Sequence, residues 1–330
     1  MSYPNQEDYI TFLMRLLDEF DLHNKTRKVG HPYVYENRSF ICFFAVMTLK
    51  RCFAFKAMYR WLSIHSEESK KLGFPKIPTR ATISRRYKAL YNVIQQFVHF
   101  IADWASPLGE EFSTEIVYED KSLFKARGPV WHKKDMQNKH IPEKLRNLDT
   151  DATWSKSAYH SWVFGYGLHI TCTSSGFPIM LEVDTASVGE QDVMNRKEKD
   201  ILSANIGYLI GDDGYTNFQR TKEYAREGLL LVTPALHANG KEGQAYHRFI
   251  EQPFIKALLQ KRKTVIEPLF DLISGLLGTE SNHKQLPLKG KLNVRSFLAF
   301  GVLLTQLALL MNNIYGLPFH NISHLLTVFL

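Results

Sequence analysis

Cysteine is scarce in this chain of 330 residues. Only Cys42, Cys52 and Cys172 occur, and no two of them share the short spacing of a metal knuckle or a redox pair. That excludes a disulfide scaffold and reads as reduced thiols of a cytosolic protein. Internal repeats and low-complexity tracts are also missing, so neither a solenoid nor a disordered tail is indicated. The opening MSYPNQEDYITFLMRLLDEF is acidic and amphipathic, without a basic start leading into an apolar run, and no signal peptide is expected. The most apolar stretch, 297–311, is short and is interrupted by Gln306, so it reads as a buried core helix and no membrane partner is expected.

What the chain does have is material for a core. Hydrophobic residues make up 45% and aromatic residues 13%, enough for one large or two ordinary domains. Lys and Arg total 41 against 33 Asp and Glu, a net charge of +8, which favours a polyanionic partner such as nucleic acid.

Along the chain, apolar residues at helical spacing predict a helix over 6–22 and a second helical block over 39–64, joined by a polar link from His23 to Asn37. Punctuation by Gly73, Pro75 and Pro78 precedes a third helix, capped by Thr79 or Thr82, whose apolar stripe runs from Ile83 to Ile101. Its opposite face carries Ser84, Arg85, Arg86 and Lys88, the kind of helix start that a helix-turn-helix lays into a DNA major groove.

Near residue 107 the pattern changes. Strands are predicted at 114–119, 162–173, 177–184, 206–211 and 229–233, with helices at 191–203, 217–227 and 246–277 and further buried helix at 294–329. The fold class is therefore α/β, a mixed sheet flanked by helices, preceded by an all-α N-terminal region over 1–106 and followed by extra C-terminal helices within 107–330. Between the first two strands, 125–160 is too long for a turn. It carries Lys125, Arg127, Lys133 and Lys134 around Trp131, as expected for a groove that holds a nucleic acid strand.

Acids stand out at three places. Asp120 follows the apolar Ile116–Tyr118 and is flanked by Lys121, Ser122, Lys125 and Arg127. Asp212 and Asp213 end the strand in GDDGYTN, where Gly211 and Gly214 are expected to allow a sharp turn. Glu267 lies among Val265, Ile266, Leu269 and Phe270, where an acid is costly unless a cation neutralises it. Oxygen ligands of this kind suit Mg²⁺ held together with a substrate phosphate.

The segments VYEDKSLFKARGPVWHKKD, LDTDATWSKS, WVFGYGLHI, IGDDGYTN and RKTVIEPLF occur in one order over about 114–275. With them the chain resembles the bacterial insertion-sequence DDE transposases, whose catalytic domain is ribonuclease H-like. The resemblance implies metal-dependent cleavage of transposon ends and strand transfer, by water and then a DNA 3′-hydroxyl. It assigns Asp120, Asp212 and Glu267 as catalytic metal ligands for Mg²⁺ (or Mn²⁺), as a pair of ions, and selects Asp212 over Asp213 because the family acid precedes a variable residue and Gly-Tyr. It adds Lys263 as a phosphate contact, and implies duplex DNA partners (terminal inverted repeats and target), a homodimer in the synaptic complex, and a bacterial, nucleoid-associated cytoplasmic location. A nuclease of the same fold and a catalytically inactive DNA-binding derivative are the rival readings.

Some positions depart from the family pattern. Pro268 directly follows Glu267, which predicts a kink or a helix start there. Lys263 stands where arginine is common, with Arg262 beside it, and Ser274 stands where lysine is common. Gly167 precedes Leu168–His169 where lysine is frequent. His169 is expected to be a hydrogen-bonded core histidine, Asp149 and Asp151 to cap the long loop, Asp184 to be structural without a cationic neighbourhood, and Tyr215 to pack under the GDDGY turn.

Overall fold

The computed structural model describes residues 3–23, 34–157, 161–280 and 284–330. Most of the polar link between the first two helices, and the end of the long loop, lie outside these residues. The chain forms two compact units, one of 1–101, 125–152 and 272–330 and the other of 102–124 and 153–271. The division differs from a single boundary at 106/107, because the loop after the first strand and the C-terminal helices fold with the N-terminal helices.

The first unit contains α1 (Gln6–His23), α2 (Asn37–Leu49), α3 (Phe55–Ile64), α4 (Ser66–Lys71), α5 (Arg80–Ala89) and most of α6 (Tyr91–Ala105). It also holds α7 (Lys133–Gln137) in the loop, α12 (Lys291–Ile314) and α13 (Ser323–Phe329). The expected block at 39–64 is broken at Lys50–Ala54, and the expected helix from Ile83 is broken at Leu90. Thr79 caps α5 by accepting the Thr82 amide at 3.2 Å.

The core of this unit is α12, buried on every side from Ser296 to Asn312. It is long and apolar enough to cross a membrane, yet 94% of its apolar window is covered by protein. Phe300 stacks on Tyr87 and meets Phe44 edge-on. Gln306 is tolerated in the apolar run because its amide donates to the Val98 carbonyl at 2.9 Å, satisfying a buried polar group. The loop is anchored to the start of the same helix. Asp149 accepts the Gly290 amide at 3.0 Å and Asp151 the Lys291 amide at 2.8 Å. The expected capping role is thus directed at orphan N–H groups of α12.

The second unit is built on a six-stranded mixed sheet of β1 (Ile116–Lys125), β2 (Thr153–Ser157), β3 (Ser161–Thr173), β4 (Pro178–Thr185), β5 (Tyr208–Ile210) and β6 (Leu230–Val232). The order is β2-β3-β1-β5-β6, with β4 paired to β3 beyond β2. β2, β3 and β4 form antiparallel pairs, whereas β1, β5 and β6 run parallel. The alternation of hairpin and crossover gives a ribonuclease H-like sheet. The helices α8 (Glu190–Ser203), α9 (Phe218–Arg226), α10 (Gly240–Ile250) and α11 (Pro253–Leu277) follow in the expected order, α11 as far as Asp271. Two features differ from expectation. β2 is an added strand inside the supposed loop, its apolar signal hidden by Ser and Lys, and the region 246–277 is two helices separated at Glu251–Gln252.

Candidate active site

The pairing of β1 with β5 places the first two acids. Tyr118 is in register with Ile210 on the parallel neighbour, and two residues further along each strand stand Asp120 and Asp212. Asp120 is half-buried and pairs with the Arg262 guanidinium, while its other oxygen accepts the Lys121 amide at 2.8 Å. Burial pushes the Asp120 carboxyl up to about 6, with the Asp212 charge adding to it and Arg262 opposing. Asp212 is raised as well, first by burial and then by Glu190 and Asp213, against Arg262 and the Gly214 amide.

Asp212 begins the single helical turn Asp213–Tyr215 and caps it by accepting the Gly214 amide at 3.0 Å. Asp213 is directed elsewhere and accepts the Leu236 amide at 2.8 Å. The turn requires no left-handed glycine at 211 or 214. Gly211 is needed for space instead, because a Cβ there would stand 2.8 Å from the Tyr215 Cβ.

Glu267 does not join the pair. α11 continues through Pro268, so Glu267 is at neither a helix start nor a break. The buried stripe Ile255, Leu258, Ile266 and Leu269 fixes the helix rotation, and Arg262 lies on that stripe. Five residues later, at about 100° each, Glu267 points roughly 140° away from Arg262 and is exposed to water. Burial therefore imposes no demand for a cation there. Among the described residues, no group of three or more His, Cys, Asp or Glu is arranged to hold a metal ion. The acid that the structure sets beside Asp212 is Glu190, which begins α8 and lies 3.5 Å from the Lys121 ammonium.

Behind the acids runs a polar network that the sequence pattern did not reveal. Glu119, fully buried, accepts from Lys197 at 2.6 Å and from Thr171 at 2.5 Å. The Tyr215 hydroxyl donates to Glu119 at 3.5 Å and lies 3.2 Å from His169 Nδ1. His169 is held well below the usual imidazole range by burial and by Lys121, Lys197 and Arg196, so it is a neutral core residue as expected. Tyr215 packs under the turn as expected. A readable signal existed in α8, where Lys197 occupies the apolar stripe of Val193, Met194 and Ile201. Asp184 is structural but does have a cationic neighbour, Arg196 at 2.6 Å.

The residues expected to touch nucleic acid divide into two groups. In the first unit, Arg85, Lys88, Arg127, Lys133 and Lys134 are exposed, and Ser84 and Lys125 are half-exposed. Arg86 turns inward, donating to Asn37 at 2.8 Å and lying 5.0 Å over the Phe40 ring. Trp131 is buried and donates to the His140 carbonyl at 2.9 Å, so it anchors the loop and offers no stacking face. In the second unit, Lys263 is exposed on α11.

The mixed sheet thus sets Asp120, within β1, beside Asp212, which lies just past the end of the parallel β5. Residues 134–285, under half of the chain, match a family model described as a transposase DDE domain, an interval holding Asp212 and Glu267 and beginning after Asp120. No curated protein sequence matches. A chain of the crystal structure of a pre-cleavage Mos1 transpososome aligns at 9% identity over 96% of this chain and 98% of that one. Its TM-score is 0.22, too low to carry a structural argument.

Proposed function

We propose that the protein is a metal-dependent DNA transposase that cleaves element ends and joins them to target DNA through the Asp120–Asp212 pair. The observation that carries this reading is a pair of half-buried carboxylates, Asp120 and Asp212, both raised by burial, in a chain whose residues 134–285 match a transposase DDE domain. Their ionised forms are penalised by burial and by neighbouring carboxylates, Asp212 for Asp120 and Glu190 and Asp213 for Asp212, and a hard divalent cation would relieve these penalties. Mg²⁺ or Mn²⁺ fits this donor set. A bound pair of such ions activates an attacking oxygen and stabilises the leaving one.

The chain's own contribution is orientation and charge. Asp120 and Asp212 are fixed by the Lys121 and Gly214 amides. Arg262, now paired with Asp120, is a cation available to a phosphate once the carboxylate has another partner. Glu267 is the third ligand by resemblance, and Glu190 is its rival by position. The partners are duplex DNA and, in the synaptic complex, a second copy of the chain.

The test is Mg²⁺-dependent cleavage of end-sequence DNA by purified variants. Asp120→Ala and Asp212→Ala are expected to abolish cleavage with DNA binding retained. Of Glu267→Gln and Glu190→Gln, the one that also abolishes it identifies the third acid. Full cleavage by Asp120→Ala would overturn the assignment. The outward Glu267 favours a second reading, a transposase-derived DNA-binding protein without catalysis, which wins if the wild type binds end DNA but never cuts it.

A further inference from the structure

We infer that the first unit carries a cationic surface for the backbone of duplex DNA, formed by Arg51, Arg127, Arg146, Lys289, Arg85 and Lys88. This inference rests on the nucleic-acid reading proposed above and adds the surface that would do the binding. Three concavities supply it. One, of about 480 Å³, is lined by Arg127, Gly128, Pro129, Arg146, Asn147 and Lys289. A second, of about 300 Å³, shares Arg127 and adds Arg51. A third, of about 580 Å³, is open and lies against Ser84, Arg85, Lys88 and Leu292. Lys289 of the first concavity and Leu292 of the third flank the N-terminus of α12, three residues apart in sequence.

No Asp or Glu lines any of the three. The geometry is also built and not incidental. Gly128 has a φ of +93°, and a Cβ there would meet the Asn147 carbonyl oxygen at 2.8 Å, which holds the Arg127 and Arg146 strands of the loop together. Arg127 is oriented by a 2.6 Å bond to the Pro287 carbonyl. Fixed guanidinium groups spaced along a groove suit a row of phosphates. The sequence pointed to Arg85, Lys88 and Arg127 but not to Arg51, Arg146 and Lys289, which come from stretches far apart in the chain.

The experiment measures affinity for a 30-base-pair duplex by fluorescence anisotropy across a salt series, without metal. The triple variant Arg127→Ala, Arg146→Ala, Lys289→Ala is expected to lose on the order of tenfold or more in affinity, and its salt slope to fall by about 2 to 3. A control removes the same charge from Lys70, Lys71 and Lys76, which line none of the concavities, and should lose far less. Equal losses in the two variants would reduce the surface to bulk charge and overturn it, as would absence of wild-type binding at low salt. Equal competition by single-stranded RNA of the same length would overturn the duplex assignment. Because binding is read without cleavage, the surface can fail while the transposase reading stands, and an inactive Asp120→Ala variant should still bind.

Discussion

The Lys121 side chain crosses directly over Gly167, where a Cβ would stand 2.9 Å from its Cε and 3.5 Å from His169 Nε2. Beyond that crossing its ammonium donates to the carbonyls of Val188 at 2.7 Å and Ala186 at 3.0 Å. The absence of lysine at 167 and the presence of one at 121 are therefore one arrangement. A cation is delivered to the β4–α8 connection from β1, and the neighbouring strand makes room for it.

Gly167→Ala should displace Lys121 and loosen its hold on that connection. The expected cost is about 1 kcal/mol, seen as a drop of roughly 2–4 °C in the melting temperature. Gly167→Ala combined with Lys121→Ala, which removes the obstructing chain, should show less than the sum of the single effects. Strict additivity would mean that the two side chains do not compete for the same space.

The raised Asp120 carboxyl links stability to pH. Its folded value of about 6 exceeds its ordinary 3.8, so the folded state binds the proton more tightly than the unfolded state. The resulting stabilisation is complete below about pH 4 and is lost as pH rises through about 6, amounting to roughly 2–3 kcal/mol at about 1.4 kcal/mol per unit. In thermal melts from pH 4 to 7, Asp120→Asn should flatten this decline. Added Mg²⁺ should stabilise the wild type increasingly with pH and the variant hardly at all. A metal response that is equal in both proteins would count against Asp120 as a ligand.

Lys197→Met should be among the most damaging single changes in the second unit. It leaves the fully buried Glu119 beside Thr171 without its cation, and removing one partner of such a pair costs about 3–5 kcal/mol. Adding Glu119→Leu should restore much of the loss in urea unfolding. If the double variant is no more stable than Lys197→Met, the network around Tyr215 depends on the Glu119 oxygens themselves.

The regular parts of the fold were legible in the sequence because their signals are local. Alternation and apolar runs located β1, β3, β4, β5 and β6, and the GDDGYTN turn marked Asp212 and Asp213 at a strand end, between which the resemblance chose Asp212. The third acid was not legible from spacing. Whether Glu267 faces inward depends on the rotation of α11, which is set by the buried stripe through Leu258 and Ile266. An acid flanked by apolar residues in sequence need not be flanked by them in space. Trp131 and Arg86 were misread as surface groups for a similar reason. Their types suit nucleic acid, but their partners, the His140 carbonyl and Asn37, lie at sequence distances that no local pattern encodes.

The first unit begins with α1 and takes its core from α12, with the 125–152 loop tied to the cap of that helix. During synthesis, then, the N-terminal helices emerge and meet one another, as Phe20 meets Phe97 and Phe44 meets Tyr87, but the helix that fills their core, α12, follows only after the second unit. The second unit has all its strands by Val232 and can settle earlier. A ribosome-bound chain would thus complete the sheet of its second unit before the core of its first, and loss of the last helices would disable the beginning of the chain rather than its end.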